Sequence, residues 1–162
     1  MSSICCFKII FGLSRIAISR AFGDFIISCP LSLFGQSLAR HEPSSHYYCY
    51  RLAQRSLVSD LMHLPGWLGA LHGEDLNTLF NYPPMQRDVD KRLREDFTRA
   101  VIAFIKTGNA GQMGQGAKWE EAFQGKGDSG SSSTRYMRLN VTDYRMAEEK
   151  TCATFWKDRI EL

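Results

Sequence analysis

The residues best suited to chemistry lie in Trp67-Leu68-Gly69-Ala70-Leu71-His72-Gly73-Glu74-Asp75-Leu76, where a histidine occupies a glycine-flanked turn after an apolar run. An imidazole titrates near neutrality, so it can take a proton and return it within one reaction cycle. His41, His46 and His63 have no carboxylate or cysteine at ligand spacing and read as surface or packing residues. The 5 cysteines, at positions 5, 6, 29, 49 and 152, include no Cys-x-x-Cys pair. Their spacing therefore predicts no metal centre, and their odd number leaves at least one unpaired within the chain.

Other motifs lack the context their chemistry requires. Gly125-Lys126-Gly127-Asp128-Ser129-Gly130 spells G-x-G-x-x-G, but a polar loop precedes it and a serine run follows. A dinucleotide site needs a strand before that motif and a helix after it, so no nucleotide or other cofactor is expected. Gly127-Asp128-Ser129-Gly130 echoes a serine-protease nucleophile sequence without the surrounding barrels, and no G-x-S-x-G nucleophile elbow occurs. Asn140-Val141-Thr142 is an N-glycosylation sequon, which matters only in a secreted chain.

Periodicity indicates the elements that would position His72. Ala21–Arg40 carries apolar residues near helical spacing, with Pro30 early enough to be tolerated. His46–Leu52 is aromatic and predicts a short buried strand. Asp88–Lys106 predicts an amphipathic helix: Leu93, Phe97, Val101, Phe104 and Ile105 form one stripe, and Gly108 supplies the stop. The glycine-rich stretch 107–133 predicts a long flexible loop. Tyr136–Val141 alternates like a strand, and Glu148–Leu162 predicts a surface helix docked through Cys152, Phe155, Trp156 and Ile160.

Composition narrows the class of protein. A chain of 162 residues with 44% apolar and 23% charged side chains suits one globular domain. Its net charge of +3 is too small and too dispersed to imply a nucleic-acid partner. No uninterrupted apolar run reaches the length of a membrane span. Met1–Phe22 is broken by Lys8, Arg15 and Arg20 and lacks the A-x-A site of a secretory signal.

Five motifs, taken in order, resemble the C-terminal part of the type-B carboxylesterase and cholinesterase family, within the α/β-hydrolases. Gly23-Asp24-Phe25 followed by Cys29-Pro30 is similar to a family helix that begins Gly-Asp and carries Cys-Pro. His46–Tyr50 stands where a strand of the form VYFY precedes the histidine loop. Trp67-x-Gly69-x-x-His72-Gly73-x-Asp75 is similar to the family's W-x-G-x-x-HG-x-E, and Phe80 closes that motif. Phe104-Ile105-Lys106-Thr107-Gly108-Asn109 resembles F-A-x-T-G-N, and Cys152-Ala153-x-Phe155-Trp156 resembles the closing C-A-F-W. The likeness covers residues 13–162 and leaves 1–12 unmatched.

The resemblance implies an α/β fold, with this chain forming only the last strands of a mostly parallel sheet and the helices flanking them. It makes His72 the histidine of a serine-hydrolase triad acting on a small ester. It pairs Cys29 with Cys152 in a disulfide, which implies an oxidising, secreted or cell-surface setting, gives weight to Asn140 and leaves Cys5, Cys6 and Cys49 unassigned. It also implies a homodimer in the parent protein, through the segment 148–162. The family's nucleophile, oxyanion segment and triad acid lie upstream of the matched region and are absent, so the chain alone is expected to be inactive. Glu74 and Asp75 do not align with the triad acid. Leu64 and Glu74 stand where cholinesterases usually carry aromatics, which argues against a quaternary-ammonium substrate. A non-catalytic, neuroligin-type adhesion or binding protein is the alternative.

Overall fold

Apolar side chains spaced three and four apart along Asp88–Thr107 build the longest well-buried helix and anchor the core. A computed structural model describes residues 15–82, 87–123 and 133–156. In chain order these form helix α1 (Arg15–His41), strand β1 (Tyr50–Leu52), helices α2 (Leu57–Leu61), α3 (Glu74–Phe80) and α4 (Asp88–Thr107), then strands β2 (Thr134–Leu139) and β3 (Arg145–Glu149). The sheet has the order β1-β2-β3, with β1 parallel and β3 antiparallel to β2. Register places Tyr50 beside Met137 and Leu52 beside Leu139 across one ladder, and Thr134 beside Glu149 across the other.

Met137 and Leu139 of β2 are fully buried and meet Leu93, Phe97 and Ala100 of α4. The predicted stripe of α4 holds through Leu93 and Phe97 and then turns to Ala100, whereas Ile105 is exposed, because the core ends before the last helical turn. Gly108 ends α4 as expected, with φ 72° and its N–H bonded to Phe104 O at 2.7 Å. Helix α1 includes a π-helical stretch, Asp24–Ser28, and extends beyond the predicted 21–40. By length and composition α1 matches a membrane-crossing helix, which the charge-interrupted sequence did not suggest. It is nevertheless attached to the rest of the protein by one side. Cys29 and Ser32 are buried, Ser32 hydrogen-bonds Thr134 of β2, and the Phe123 ring packs against Gly35.

Four expected elements need correction. The strand expected at His46–Leu52 shortens to Tyr50–Leu52, although Cys49 O still accepts from Met137 N at 2.9 Å. The strand expected at Tyr136–Val141 begins at Thr134, ends at Leu139 and gives way to a turn at Asn140. Within the glycine-rich stretch, 108–123 is packed irregular chain: Ala110, Met113, Trp119 and Ala122 are buried, and Trp119 Nε1 donates to Cys49 O at 3.1 Å. Glycines there serve turns at positive φ, at Gly108, Gly111 and Gly116, and close approach at Gly114. A Cβ on Gly114 would sit 2.5 Å from Asp96 Oδ2 and 2.8 Å from Tyr144 Cε2. The remainder of that predicted loop, 124–132, lies outside the described residues, as does the G-x-G-x-x-G at 125–130. Glu148 and Glu149 belong to β3 and not to the predicted Glu148–Leu162 helix, whose described part is a π-helical turn at Cys152–Trp156. The segment Arg145–Glu149 pairs with β2, and that ladder overrides its helical propensity.

Candidate active site around the His72 turn

The chain approaches His72 through a polar clamp. Gln54, between β1 and α2, accepts from Val141 N at 3.1 Å and donates to Asp90 Oδ1 at 3.3 Å, joining the end of β2 to α4. Arg55 binds Asp60 Oδ1 at 2.6 Å and donates to the carbonyls of Ser59 and Leu64. Arg87 binds Asp60 Oδ2 at 2.6 Å and also grips buried Asp90, with Nε–Oδ2 at 2.6 Å. A hydrogen bond from Arg55, reinforced by both guanidinium charges, holds the Asp60 carboxyl below its ordinary range, and Asp90 holds Arg87 protonated. These links constrain residues 54–64, the run that leads into the histidine segment.

A short 3-10 turn at Gly66–Leu68 follows, and Gly69 takes a positive φ of 66°. Residues 71–74 then form a tight turn in which Glu74 N donates to Leu71 O at 3.3 Å. Gly73, at φ 83° and ψ −5°, has the backbone of the third residue of a type II turn, a conformation that favours glycine. His72 therefore stands at the second position of that turn, directly before α3, with its side chain exposed. No hydrogen bond or ion pair joins its imidazole to another described residue. Both carboxylates beside it are engaged with other groups. Asp75 Oδ2 accepts the Tyr50 hydroxyl at 2.8 Å, and Glu74 is buried beneath the turn. Burial, and then the Asp75 carboxylate, hold the Tyr50 phenol protonated well above its ordinary range.

The disulfide joins Cys29 of α1 to Cys152 of the terminal turn, with both residues buried and their Cα atoms 5.0 Å apart. Cys49 is free and half-buried, and burial raises its thiol pKa. Cys5 and Cys6 lie outside the described residues. Asn140 is half-buried in a turn, its Oδ1 accepting Thr142 N at 3.0 Å and Thr142 Oγ1 at 2.7 Å. Of the remaining histidines, His46 pairs with Glu121 at 2.8 Å and His41 bonds its own helix at Ser37 O, in keeping with surface roles. Among the described residues no group of three His, Cys, Asp or Glu side chains could hold a metal ion. Unanticipated in the sequence were Ser56, Ser59 and the Arg55–Asp60–Arg87 clamp. The one available signal was the Leu71-to-Glu74 spacing, which matches the reach of a glutamate in a capping box.

The sequence signature of the Carboxylesterase family matches residues 12–156, a span that includes the His-Gly turn and both bridged cysteines. The chain belongs to the carboxylesterase family. Among relatives of this carboxylesterase-family chain, acetylcholinesterase 1 of Caenorhabditis elegans is 26% identical over 156 residues, which cover 87% of this chain and 23% of that protein. The cholinesterase of Mus musculus is 27% identical over 132 residues, covering 78% of this chain and 20% of its own length. Acetylcholinesterase-1 of Trittame loki is 27% identical over 109 residues, covering 65% and 19%. The chain thus spans less than a quarter of the length of the curated relatives it matches. Family membership implies the α/β-hydrolase fold, and the small mixed sheet with its helices is consistent with an incomplete part of one.

Proposed function

We propose that this chain is the C-terminal portion of a carboxylesterase- or cholinesterase-like ester hydrolase, and that His72 is its general base and general acid. The supporting observation is the position of His72: exposed, at the second place of a glycine-dependent turn, inside the family match. In such a hydrolase the imidazole takes the proton of a serine hydroxyl as that oxygen attacks the ester carbonyl. It then returns the proton to the departing alcohol. The nucleophile, its acid partner and the oxyanion donors would come from an upstream portion, so the chain alone is inactive.

Secretion or display at the cell surface, with a glycan on Asn140, is part of the same proposal. It is supported by the buried Cys29–Cys152 disulfide, which suits an oxidising compartment. A homodimer of the parent through residues 148–162 completes it. One expression experiment in a secreting eukaryotic host tests the core. Secreted chain carries a glycosidase-sensitive mass on the peptide containing Asn140, and it hydrolyses a chromogenic short-chain ester no faster than His72→Ala. Clear turnover abolished by that substitution would sink the inactive-portion reading. A parent whose elbow carries a residue other than serine would instead support the adhesion role.

A further inference from the structure

The Glu74 carboxylate is only 2% exposed, yet it meets no cation in the described structure. Its Oε1 accepts the hydroxyls of Ser56 and Ser59, each at 2.5 Å, and its Oε2 accepts Leu71 N–H at 2.9 Å. Ser56 is the N-cap of α2 and Ser59 is fully buried one turn later, so the two hydroxyls come from a rigid helix start. Thr78 Oγ1 bonds Glu74 O at 2.8 Å, fixing the first turn of α3 as well. A buried carboxylate persists only when its lone pairs are satisfied, and three donors converge on this one.

The geometry encloses His72. Leu71 and Glu74 are joined twice, by the main-chain bond from Glu74 N to Leu71 O and by the side-chain bond from Leu71 N to Glu74 Oε2. His72 and Gly73 are the two residues between. We propose that Glu74 is a positioning residue: its carboxylate, held by Ser56 and Ser59, clasps the 71–74 turn and sets the direction in which His72 leaves the backbone. This rests on the reading of His72 as the general base. Replacing the group by an apolar one would fill the same space at less desolvation cost, so packing alone does not account for a carboxylate here.

The test reads the turn first and turnover second. In the full chain with its disulfide intact, Glu74→Ala removes both acceptor oxygens, whereas glutamine could keep a carbonyl on Leu71 N–H because the serine hydroxyls also accept. Exchange of the Leu71 amide is expected to quicken at least tenfold, while amides of α4 stay as protected as before. A Ser56→Ala, Ser59→Ala, Glu74→Leu variant removes the carboxylate and both hydroxyls together and leaves only the Leu71 N–H. It is expected to keep the α4 protection of the unsubstituted chain yet leave Leu71 fast, which separates positioning from packing. In the parent enzyme, Glu74→Ala is expected to lower kcat tenfold or more at unchanged KM. A Leu71 amide that exchanges at the free-peptide rate in the unsubstituted chain, or keeps its protection in Glu74→Ala, would overturn the clasp. Turnover that survives His72→Ala in the parent refutes the general-base reading itself. Turnover lost in His72→Ala but unchanged in Glu74→Ala refutes only the positioning role.

Discussion

Asp60 shows how single charges support the region around His72. Its two oxygens are divided between Arg55 and Arg87, each at 2.6 Å, and the first of these also binds the carbonyls of Ser59 and Leu64. Because its folded pKa lies below the ordinary 3.8, the stability it contributes is present above that value and is lost as pH falls through the lower folded one. Protection of the Leu64 amide, which bonds Ser59 O at 3.1 Å, should therefore decline on acidification below about pH 4 once intrinsic exchange is divided out. In Asp60→Asn that acid response should flatten. An undiminished response in the variant would refute the assignment. Such contacts were not legible in the sequence, since an arginine five residues before an aspartate has no distinguishing pattern until the helix start at Ser56 folds the two together.

Elements with one dominant face were easier to read than elements held by partners far along the chain. Helix α4 declared itself because its apolar period matches the helical repeat and Gly108 marks its end. Segment 108–123 gave no such sign. Its shape comes from distant bonds, among them Ala122 N to Tyr47 O at 2.7 Å and Arg135 N to Ala122 O at 3.1 Å. The same distinction governs the C-terminal segment. Cys152 is bound to α1 by the disulfide, and Glu148–Glu149 are held in β3, so any helical dimer contact must begin beyond the strand. Deleting residues 151–162 from a dimeric parent is expected to leave a monomer by analytical ultracentrifugation. A parent that is monomeric both with and without them would exclude that interface.

At the scale of the molecule, exposed apolar surface outweighs what a self-contained domain of this size usually shows. Ile18, Phe22, Leu31 and Phe34 of α1 are each more than half exposed, and Phe155 in the terminal turn is itself 50% exposed. Strand β1 occupies an edge of the three-stranded sheet, with Arg51 exposed. Open apolar faces and bare strand edges favour association over a monodisperse monomer. The isolated chain is therefore expected to melt broadly or to aggregate. A sharp two-state circular-dichroism transition from a soluble monomer would count against the view that these faces belong beneath the remainder of a larger hydrolase domain.

What the sequence determined by itself was local or motif-bound: the helical period of α4, the glycine stops, the His-Gly turn, and the ordered motifs that carry the family resemblance and, through it, the Cys29–Cys152 pair. These survive because backbone preference and short spacing act without knowledge of distant partners. Only the tertiary structure decided that 145–149 pairs as a strand, that 108–123 packs into the core, and that Glu74 lies buried under two serine hydroxyls. The first depends on a hairpin partner in β2, the second on residues as distant as Tyr47, and the third on a side chain being sealed from water beneath Ser56 and Ser59; none of these is written in the period of the segment itself.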